Sequence, residues 1–165
     1  MIAIRLEAAA DVAGIRAVHV ASFPTAAEAD LVEALRAAGR LSVSLVAVED
    51  GTIVGHAAIS AVTAAGTPPG AGLAPVAVLP VFRRRGVAAA LVEAALACSR
   101  ELGFSWAVVL GNPAYYGRFG FLPASEHGLS DEYGGGNCFQ VMELAPGGIP
   151  AGAGLVRYAP EFAGF

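Results

Sequence analysis

An arginine-rich segment carries the clearest chemical signal in the sequence. It reads Arg83-Arg84-Arg85-Gly86-Val87-Ala88, in the form R-x-x-G-x-A. The segment lies between an apolar run typical of a strand and one typical of a helix. Its backbone N–H groups are therefore expected to point at one spot, with the positive end of the helix dipole behind them. Guanidinium groups match phosphate oxygens, and Gly86 lets the backbone approach a ligand closely. The sequence predicts a pyrophosphate-binding loop.

The elements around this loop follow from the apolar pattern. Leu73–Leu79 predicts a strand that ends at Pro80, and Val87–Leu102 predicts a helix with Gly103 as its stop. Trp106–Leu110 is an apolar run of strand length, consistent with burial on both faces. The predicted apolar face of the helix consists of Val87, Leu91, Ala95, Cys98 and Leu102. The loop is therefore expected at a strand-to-helix turn, where phosphate groups commonly bind.

A second set of motifs flanks the loop, with V-x-V-x-P before it and Y-x-x-x-G-F after the next strand. The residues concerned are Val76, Val78, Pro80, Arg83, Gly86 and Ala88, followed by the segment 110–121. Together they resemble the acetyl-CoA-binding motif Q/R-x-x-G-x-G/A of the GNAT superfamily of N-acetyltransferases. Within that superfamily the chain is most similar to the small YhbS-like predicted acetyltransferases, over nearly all its length, from Ile2 to Tyr158.

The resemblance implies a reaction in which an amine attacks the thioester of acetyl-CoA directly. In this motif Tyr116 is the expected acid that protonates the leaving thiolate, with Tyr115 as the alternative. A phenol of pKa about 10 can protonate a thiolate of pKa about 8.5 only if it is held in place. The implied cofactor-binding residues are Val76, Ala77, Val78, Arg83, Arg84, Arg85, Gly86, Val87, Ala88, Asn112 and Tyr115. The first three belong to the strand that would hydrogen-bond the pantetheine arm, and no metal is implied.

The general base is the part of the reaction that the sequence leaves open. The candidates are Glu28, Asp30, Glu33, His56 and His127. Glu28 is interpreted as a helix cap, whereas Asp30 and Glu33 fit a solvated helix face. A histidine within a strand is more often structural than catalytic. Because a chain of water molecules can also carry the proton, the sequence nominates no base.

The remaining pattern predicts the order β-α-α-β-β-β-α-β-(short α)-β in a single domain, residues 1–165. The fold class is α/β (α+β), a mixed and mostly antiparallel sheet flanked by helices. The resemblance adds a V-shaped cofactor cleft between two parallel strands. Asp11 is expected to cap the first helix, and Thr25 and Glu28 to form a capping box for the second. The other predicted elements are strand Ile2–Glu7, helix Val12–Ser22, a helix ending near Ala38, strand Leu41–Glu49, the turn Asp50-Gly51, strand Thr52–Val62, an exposed loop Thr63–Gly72, and strands Cys138–Leu144 and Leu155–Tyr158.

Composition narrows the classes of partner. The 165 residues carry a net charge of −4 with 56% hydrophobic and 15% charged residues, which indicates a globular domain and argues against nucleic acid. The pattern contains neither a signal peptide nor a membrane span, so a cytoplasmic location is expected. Cys98 and Cys138 are too few and too far apart to indicate a disulfide framework or a metal site.

Two alternatives to an acetyltransferase are open at this point. One is a non-catalytic module that binds acyl-CoA and senses it. The other is a nucleotide-phosphate-binding protein, which is disfavoured because the chain lacks G-x-x-x-x-G-K-[ST]. The acceptor is expected to be a small amine or a peptide amine, and the protein a monomer or a homodimer.

Overall fold

The computed structural model describes residues 1–164. The helices are α1 (Val12–Ser22), α2 (Ala27–Ala37), α3 (Val87–Glu101) and α4 (Pro113–Tyr116). The strands are β1 (Ala3–Leu6), β2 (Val43–Glu49), β3 (Thr52–Ala64), β4 (Gly70–Val78), β5 (Trp106–Leu110), β6 (Leu122–Pro123), β7 (Leu129–Asp131), β8 (Phe139–Glu143) and β9 (Gly154–Arg157). This order confirms the predicted one and adds two short strands, β6 and β7. β9 corresponds to the predicted strand Leu155–Tyr158, shifted by one residue.

The strands form a mixed sheet in which hydrogen-bonded neighbours follow the order β1-β2-β3-β4-β5-β8-β6, with β9 paired to both β3 and β7. Most pairs are antiparallel, whereas β4–β5 and β7–β9 are parallel. The β4–β5 register consists of Ala71 with Ala107 and Gly72 with Val108. β4 continues past this register to Val78, so most of its length extends beyond the paired stretch.

The chain divides into two compact units, and β3, β4 and α3 each contribute residues to both. Unit 1 contains residues 1–59, 75–95 and the C-terminal residues from 160, and unit 2 contains residues 60–74 and 96–159. The single-domain assignment for residues 1–165 stays a prediction. Among the described residues no helix has the length and apolar character needed to cross a membrane.

Unit 1 is built on a hairpin covered by two helices. Asp50 and Gly51 adopt φ angles of 49° and 76°, the left-handed pair that a tight two-residue hairpin turn requires. The buried residues Ile15 of α1, Val32 of α2 and Val46 of β2 form one core cluster. The predicted stripe Leu31, Val32 and Leu35 is buried, and α1 has the predicted bounds.

Unit 2 is organised around the fully buried Trp106 at the start of β5. All five residues of β5 pair with β8, and the Trp106 indole N–H donates to the carbonyl of Pro68 at 3.0 Å. A Cβ atom on Gly70 would lie 2.5 Å from two atoms of the Trp106 ring. The predicted exposed loop Thr63–Gly72 is therefore wrong at both ends. Gly70 and Gly72 serve close packing, so β4 already begins at Gly70, and β3 runs on to Ala64.

Both predicted helix caps are wrong. The Asp11 carboxylate accepts hydrogen bonds from Arg5 at 2.7 and 3.1 Å and from the Ala8 N–H at 2.6 Å, so it closes a 3₁₀ turn instead of capping α1. α2 begins at Ala27, whose N–H donates to the Thr25 hydroxyl at 3.2 Å. Glu28 consequently lies one residue too early in the helix to complete a capping box.

The predicted apolar face of α3 holds for its first three members. Val87, Leu91 and Ala95 are buried and Cys98 is half-buried. Leu102 is 59% exposed because the helix ends at Glu101 and the chain turns away at Gly103, where φ is 91°. Gly103 therefore confirms the predicted stop, and Leu102 lies just beyond the helix instead of on its apolar face.

Candidate active site

The arginine-rich loop lies in unit 1, between β4 and α3, as predicted. Arg84 and Gly86 adopt φ angles of 63° and 76° and both are exposed. The Ala90 N–H donates to the Gly86 carbonyl at 3.0 Å, which makes this the first bond of α3. The N–H groups of residues 87–89 therefore have no partner within the helix. These donors and the positive end of the helix dipole lie where an anionic group can bind.

Arg83 differs from its two neighbours because its side chain braces the loop. Its Nε donates to the Val78 carbonyl at 3.2 Å and its Nη2 to the Ser22 carbonyl at 3.4 Å. The Ser22 hydroxyl lies 3.2 Å from the same Val78 carbonyl. The Val78 carbonyl oxygen therefore already accepts hydrogen bonds from two side chains of the protein. Among the described residues Arg84 has no hydrogen-bond or ion-pair partner, whereas the Arg85 guanidinium stacks over the Phe82 ring at 5.1 Å.

The strand segment expected to bind the cofactor arm also lies in unit 1. Ala77 and Val78 are buried and Val76 is half-buried. A Cβ atom on Gly55 would lie 3.2 Å from the Ala77 carbonyl and 2.9 Å from Leu91 Cδ1. Gly55 therefore lets β3, β4 and α3 pack closely, and this packing fixes the position of the loop.

The tyrosine segment lies in unit 2, directly after β5. The Asn112 side-chain oxygen accepts from the Ala114 N–H at 2.9 Å, and Pro113 occupies the first position of α4. An asparagine cap followed by proline is a strong start signal, which explains a helix of a single turn here. Asn112 was expected to bind the cofactor, but its side-chain oxygen holds the start of α4.

Tyr116 belongs to an aromatic cluster. Its ring packs edge-on against Phe121 at 6.0 Å and lies 6.2 Å from Phe119. Burial, and then the neighbouring Tyr115, raise the pKa of the Tyr116 phenol. Because a raised pKa makes the phenol a weaker acid, its use as a proton donor would depend on close positioning against the acceptor. Tyr115 instead lies under the Arg118 guanidinium, 4.3 Å from its ring centroid.

Two residues that the sequence interpretation missed support Tyr116. A Cβ atom on Gly111 would lie 2.8 Å from Tyr116 Cδ2, so the ring needs glycine there. The buried Gln140 amide donates to the carbonyls of Gly111 at 3.2 Å and Cys138 at 3.3 Å. A polar side chain inside the apolar strand β8 was the signal for this role, because a buried amide must find partners.

The base candidates are distributed over both units. Asp30 and Glu33 pair with Arg16 at 3.0 and 3.1 Å, on the partly solvated surface of α1 and α2. Glu28 is half-buried, and its Oε1 has no hydrogen-bond partner among the described residues. His127 ends a 3₁₀ turn in unit 2. His56 is fully buried and hydrogen-bonded.

His56 belongs to a chain of polar groups in unit 1 that the sequence did not reveal. The chain joins Arg36, Glu7, Ser44, His56 and His19 through consecutive hydrogen bonds. Burial lowers the pKa of His19 to about 4. Burial, and then the neighbouring His19, lower that of His56 to about 3. Both imidazoles are therefore neutral at pH 7. Arg36 holds the pKa of the Glu7 carboxyl below its usual range, so Glu7 is charged.

The cysteines and acidic groups do not gather into a metal site in the part of the chain that the structure describes. Cys98 and Cys138 are free thiols, half-buried and exposed respectively. Burial, and then Glu101, raise the pKa of the Cys98 thiol. A raised pKa makes this thiol a poor nucleophile, in agreement with its position on the apolar side of α3.

Comparison with known proteins decides the family. The model of the Acetyltransferase (GNAT) family matches residues 12–121. The chain belongs to the GNAT acetyltransferase family. The matched residues include α1, the arginine-rich loop and the tyrosine segment, so the motifs described above are those of a GNAT protein.

Individual relatives agree over nearly the full chain. The uncharacterized N-acetyltransferase YhbS of Escherichia coli (strain K12) is 40% identical over 162 residues, covering 96% of this chain and 97% of that protein. The crystal structure of YhbS from Escherichia coli in complex with CoA has a TM-score of 0.92 at 39% identity, covering 98% of this chain and 91% of that one. A GNAT acetyltransferase from Brucella melitensis in complex with acetyl-CoA has a TM-score of 0.82 at 36% identity, with 98% of each chain covered. The predicted GNAT fold is thereby confirmed.

Proposed function

We propose that this GNAT protein is an acetyl-CoA-dependent N-acetyltransferase that moves an acetyl group to a primary amine. The loop at residues 83–88 is the observation that carries the proposal. Its left-handed Gly86 opens α3 and leaves three helix N–H groups unpaired beside exposed arginine side chains. These donors suit the pyrophosphate of acetyl-CoA. The relative with 39% identity was crystallised with CoA, and the relative with 36% identity with acetyl-CoA.

The loop residues have three roles in this proposal. Gly86, Val87 and Ala88 supply backbone donors to the pyrophosphate, and Arg84 and Arg85 supply charge. Arg83 holds the loop against Val78 and Ser22, so it acts by positioning. Val76, Ala77 and the N–H side of Val78 serve the pantetheine arm. Asn112 and Tyr115 complete the set, with Asn112 acting chiefly through its cap of α4.

The chemical step requires attack by a neutral amine and protonation of the departing thiolate. The lone pair of the amine nitrogen forms the new C–N bond, and the C–S bond of the thioester breaks. The nitrogen releases one proton to solvent or to a base as the amide forms. Tyr116 gives its phenolic proton to the sulfur and recovers one from solvent. The aromatic packing by Phe121 supports this role, because it keeps the ring in one orientation. The acceptor is a small amine or peptide amine, and the protein acts in the cytoplasm as a monomer or homodimer.

Calorimetric titration with acetyl-CoA tests the cofactor assignment, with CoA and ATP as controls. Gly86→Glu places a carboxylate where the pyrophosphate binds, so acetyl-CoA binding should be lost. Gly86→Ala is the matched control: a Cβ on Gly86 meets no atom within 4 Å, so only backbone strain at φ 76° is added. Equal affinity for Gly86→Glu and the unaltered protein would refute the phosphate-loop assignment.

A panel of amines, followed by release of the CoA thiol, tests the reaction. Acetylation of at least one class of amine supports the enzyme assignment. If acetyl-CoA binds and no amine in a broad panel is acetylated, the protein is instead a non-catalytic acyl-CoA-binding module. ATP binding in place of acetyl-CoA would indicate a nucleotide-phosphate site.

A further inference from the structure

In the polar chain of unit 1, the donor and the acceptor of each hydrogen bond are fixed, so all the bonds point in one direction. Arg36 donates to both oxygens of Glu7, at 2.8 and 2.9 Å, so Glu7 is a carboxylate and only accepts. The Ser44 hydroxyl donates its single hydrogen to Glu7 Oε1. Its oxygen also lies 2.8 Å from His56 Nε2, and it can take part in that bond only as acceptor. His56 therefore carries its proton on Nε2.

The direction continues into the second imidazole. Since neutral His56 is protonated on Nε2, its Nδ1 is an acceptor, and this atom lies 2.8 Å from His19 Nε2. His19 is consequently also the Nε2–H tautomer, and its Nδ1 is left with a bare lone pair. That atom is buried and has no hydrogen-bond partner among the described residues. The Glu7 carboxylate thus determines, through Ser44 and His56, that His19 Nδ1 presents a hydrogen-bond acceptor.

An unsatisfied buried acceptor is costly and uncommon in folded proteins, so its presence here calls for a role. His19 itself has no exposed surface, and its ring stacks on Phe23 at 6.0 Å with an interplanar angle of 9°. The tautomer and the ring plane are therefore both held. This is the arrangement expected of a group that must accept a hydrogen bond or a proton in one direction.

The two ends of the chain lie in different surroundings. At one end, Ser22 follows His19 by three residues on the same helix, so the two share a face of α1. The Ser22 hydroxyl and the loop residue Arg83 both contact the Val78 carbonyl at the end of β4. At the other end, Glu7, Ser44 and Arg36 line a surface pocket of about 340 Å³. The chain therefore joins the region of the cofactor loop to a solvent-connected pocket.

We propose that His19, His56, Ser44 and Glu7 form a directional proton relay for N-acetyl transfer, with His19 Nδ1 as the entry point. The proposal rests on the proposed function. The proton that the acceptor nitrogen releases as it becomes an amide arrives at His19 Nδ1 through a hydrogen-bonded water molecule, because Nδ1 itself is buried. The relay therefore supplies the general base that the sequence left open.

Each group gains one proton and passes one on, which leaves both rings as Nδ1–H tautomers. His19 takes the proton at Nδ1 and releases its Nε2 proton to His56 Nδ1. His56 releases its Nε2 proton to the Ser44 oxygen, and Ser44 releases its own to Glu7. Glu7 gives this proton to solvent in the pocket. Its lowered pKa, due first to the hydrogen bonds from Arg36, favours that release. After the product has left, the same steps run in reverse from solvent at Glu7, and His19 Nδ1 loses its proton to water, which restores the starting state. No oxidant, metal or further reactant is needed.

Nitrogen-15 NMR of the histidine rings tests the direction of the chain without any substrate. At pH 7 both His19 and His56 should be neutral and protonated on Nε2. In Glu7→Gln the side-chain amide can donate to Ser44 as well as accept from it, so the direction is no longer imposed. Mixed tautomers are expected for both rings. A charged ring or an Nδ1–H tautomer of His19 in the unaltered protein would overturn the proposal.

Kinetics with an acceptor amine test the relay itself. His19→Gln keeps a donor at the position of Nε2 but removes the lone pair, so kcat/KM for the amine should fall about 100-fold. The loss should shrink at high pH, where the amine arrives already deprotonated. Ser44→Ala should also lower kcat/KM for the amine. Ser44→Thr should keep most of it, because threonine retains the hydroxyl. His127→Gln, in unit 2, tests the other candidate histidine, and a loss there as large as that of His19→Gln would overturn the relay.

The failure of the relay and the failure of the proposed function are distinguishable. If amines are acetylated and His19→Gln retains full kcat/KM at every pH, the relay is wrong while the enzyme assignment stands. If no amine is acetylated, the proposed function fails, and the ring tautomers still decide the direction of the chain. Acetyl-CoA affinity, measured by calorimetry, should be unchanged in His19→Gln. A large loss there would mean that the substitution disturbs the cofactor site, and the relay assignment would be withdrawn.

Discussion

Gly111 and the ring of Tyr116 occupy adjoining space, because a Cβ atom on Gly111 would lie 2.8 Å from Tyr116 Cδ2. Real Cβ contacts are essentially never so short, so the position of the phenol depends on the absence of a side chain five residues earlier. The Gln140 amide holds the Gly111 carbonyl from the opposite strand. The acid assigned to Tyr116 is therefore positioned by its backbone surroundings as well as by its aromatic neighbours.

Replacing Gly111 by alanine should displace the Tyr116 ring and lower turnover. Because a shift of about 1 Å at a reacting group can cost about 100-fold in rate, we expect a loss of roughly 10- to 100-fold in kcat. Steady-state kinetics with a saturating amine would measure it. Gly117→Ala is the control: a Cβ on Gly117 meets no atom within 4 Å, and the residue is helical, with φ −55°. Equal losses in the two variants would contradict this account.

Removing the phenol of Tyr116 should slow the chemical step without affecting cofactor binding. Tyr116→Phe keeps the contacts with Phe121 and loses only the hydroxyl, so kcat should fall about 100-fold. Acetyl-CoA affinity, measured by calorimetry, should stay within about twofold. Tyr115→Phe is the comparison, and its effect on kcat should be small. If Tyr115→Phe causes the larger loss, then the roles of the two tyrosines are reversed.

Arg84 has a strained backbone conformation, and we expect that its charge is needed to bind acetyl-CoA. A non-glycine residue at φ 63° costs about 1–2 kcal/mol, part of which glycine would relieve. Arg84→Gly should therefore raise the free energy of unfolding by about 0.5 kcal/mol while weakening acetyl-CoA binding. Chemical denaturation and calorimetry would measure the two effects.

Arg84→Ala separates the two contributions, because it removes the charge and keeps the strain. It should weaken acetyl-CoA binding as much as Arg84→Gly does, without the gain in stability. A stability gain of equal size in the alanine variant would show that the strain at this position is not the cause.

The buried histidine pair should make stability fall on mild acidification. The pKa of His19 is lowered from 6.5 to about 4 by burial, so below pH 6.5 the unfolded chain takes up a proton that the folded protein refuses. Stability is therefore complete above pH 6.5 and is lost as the pH falls toward 4. His19 alone accounts for about 3 kcal/mol. His56, with its pKa lowered to about 3, acts in the same direction.

Urea denaturation at a series of pH values between 7 and 4 would measure this loss. The carboxyl Asp11, whose pKa the Arg5 guanidinium lowers to about 2, contributes only below about pH 4, so the two windows can be separated. A variant with His19→Gln should show a flatter profile between pH 6.5 and 4.5. An unchanged profile would contradict the neutral state assigned to His19.

The sequence by itself determined the parts of this protein that depend on local order. R-x-x-G-x-A between a strand and a helix predicted the loop, and Asp50-Gly51 predicted the hairpin turn. Both rest on backbone geometry that a few adjacent residues impose, so the structure reproduces them. The bounds of α1 and the buried stripe of α2 followed from helical periodicity in the same way.

Only the tertiary structure decided the roles that depend on contacts between distant segments. Glycines at 70 and 72 looked like loop residues because their packing partners lie elsewhere in the chain. Thr25 and Glu28 have the spacing of a capping box, yet the helix starts too late for them to form one. Likewise His19 and His56 are 37 residues apart, and no local pattern predicts that they share a hydrogen bond. Glu7 and Arg36 determine which of the two imidazoles donates in that bond. Their charges come next to Ser44 only when the segments that carry them, at the end of β1 and in α2, fold against β2.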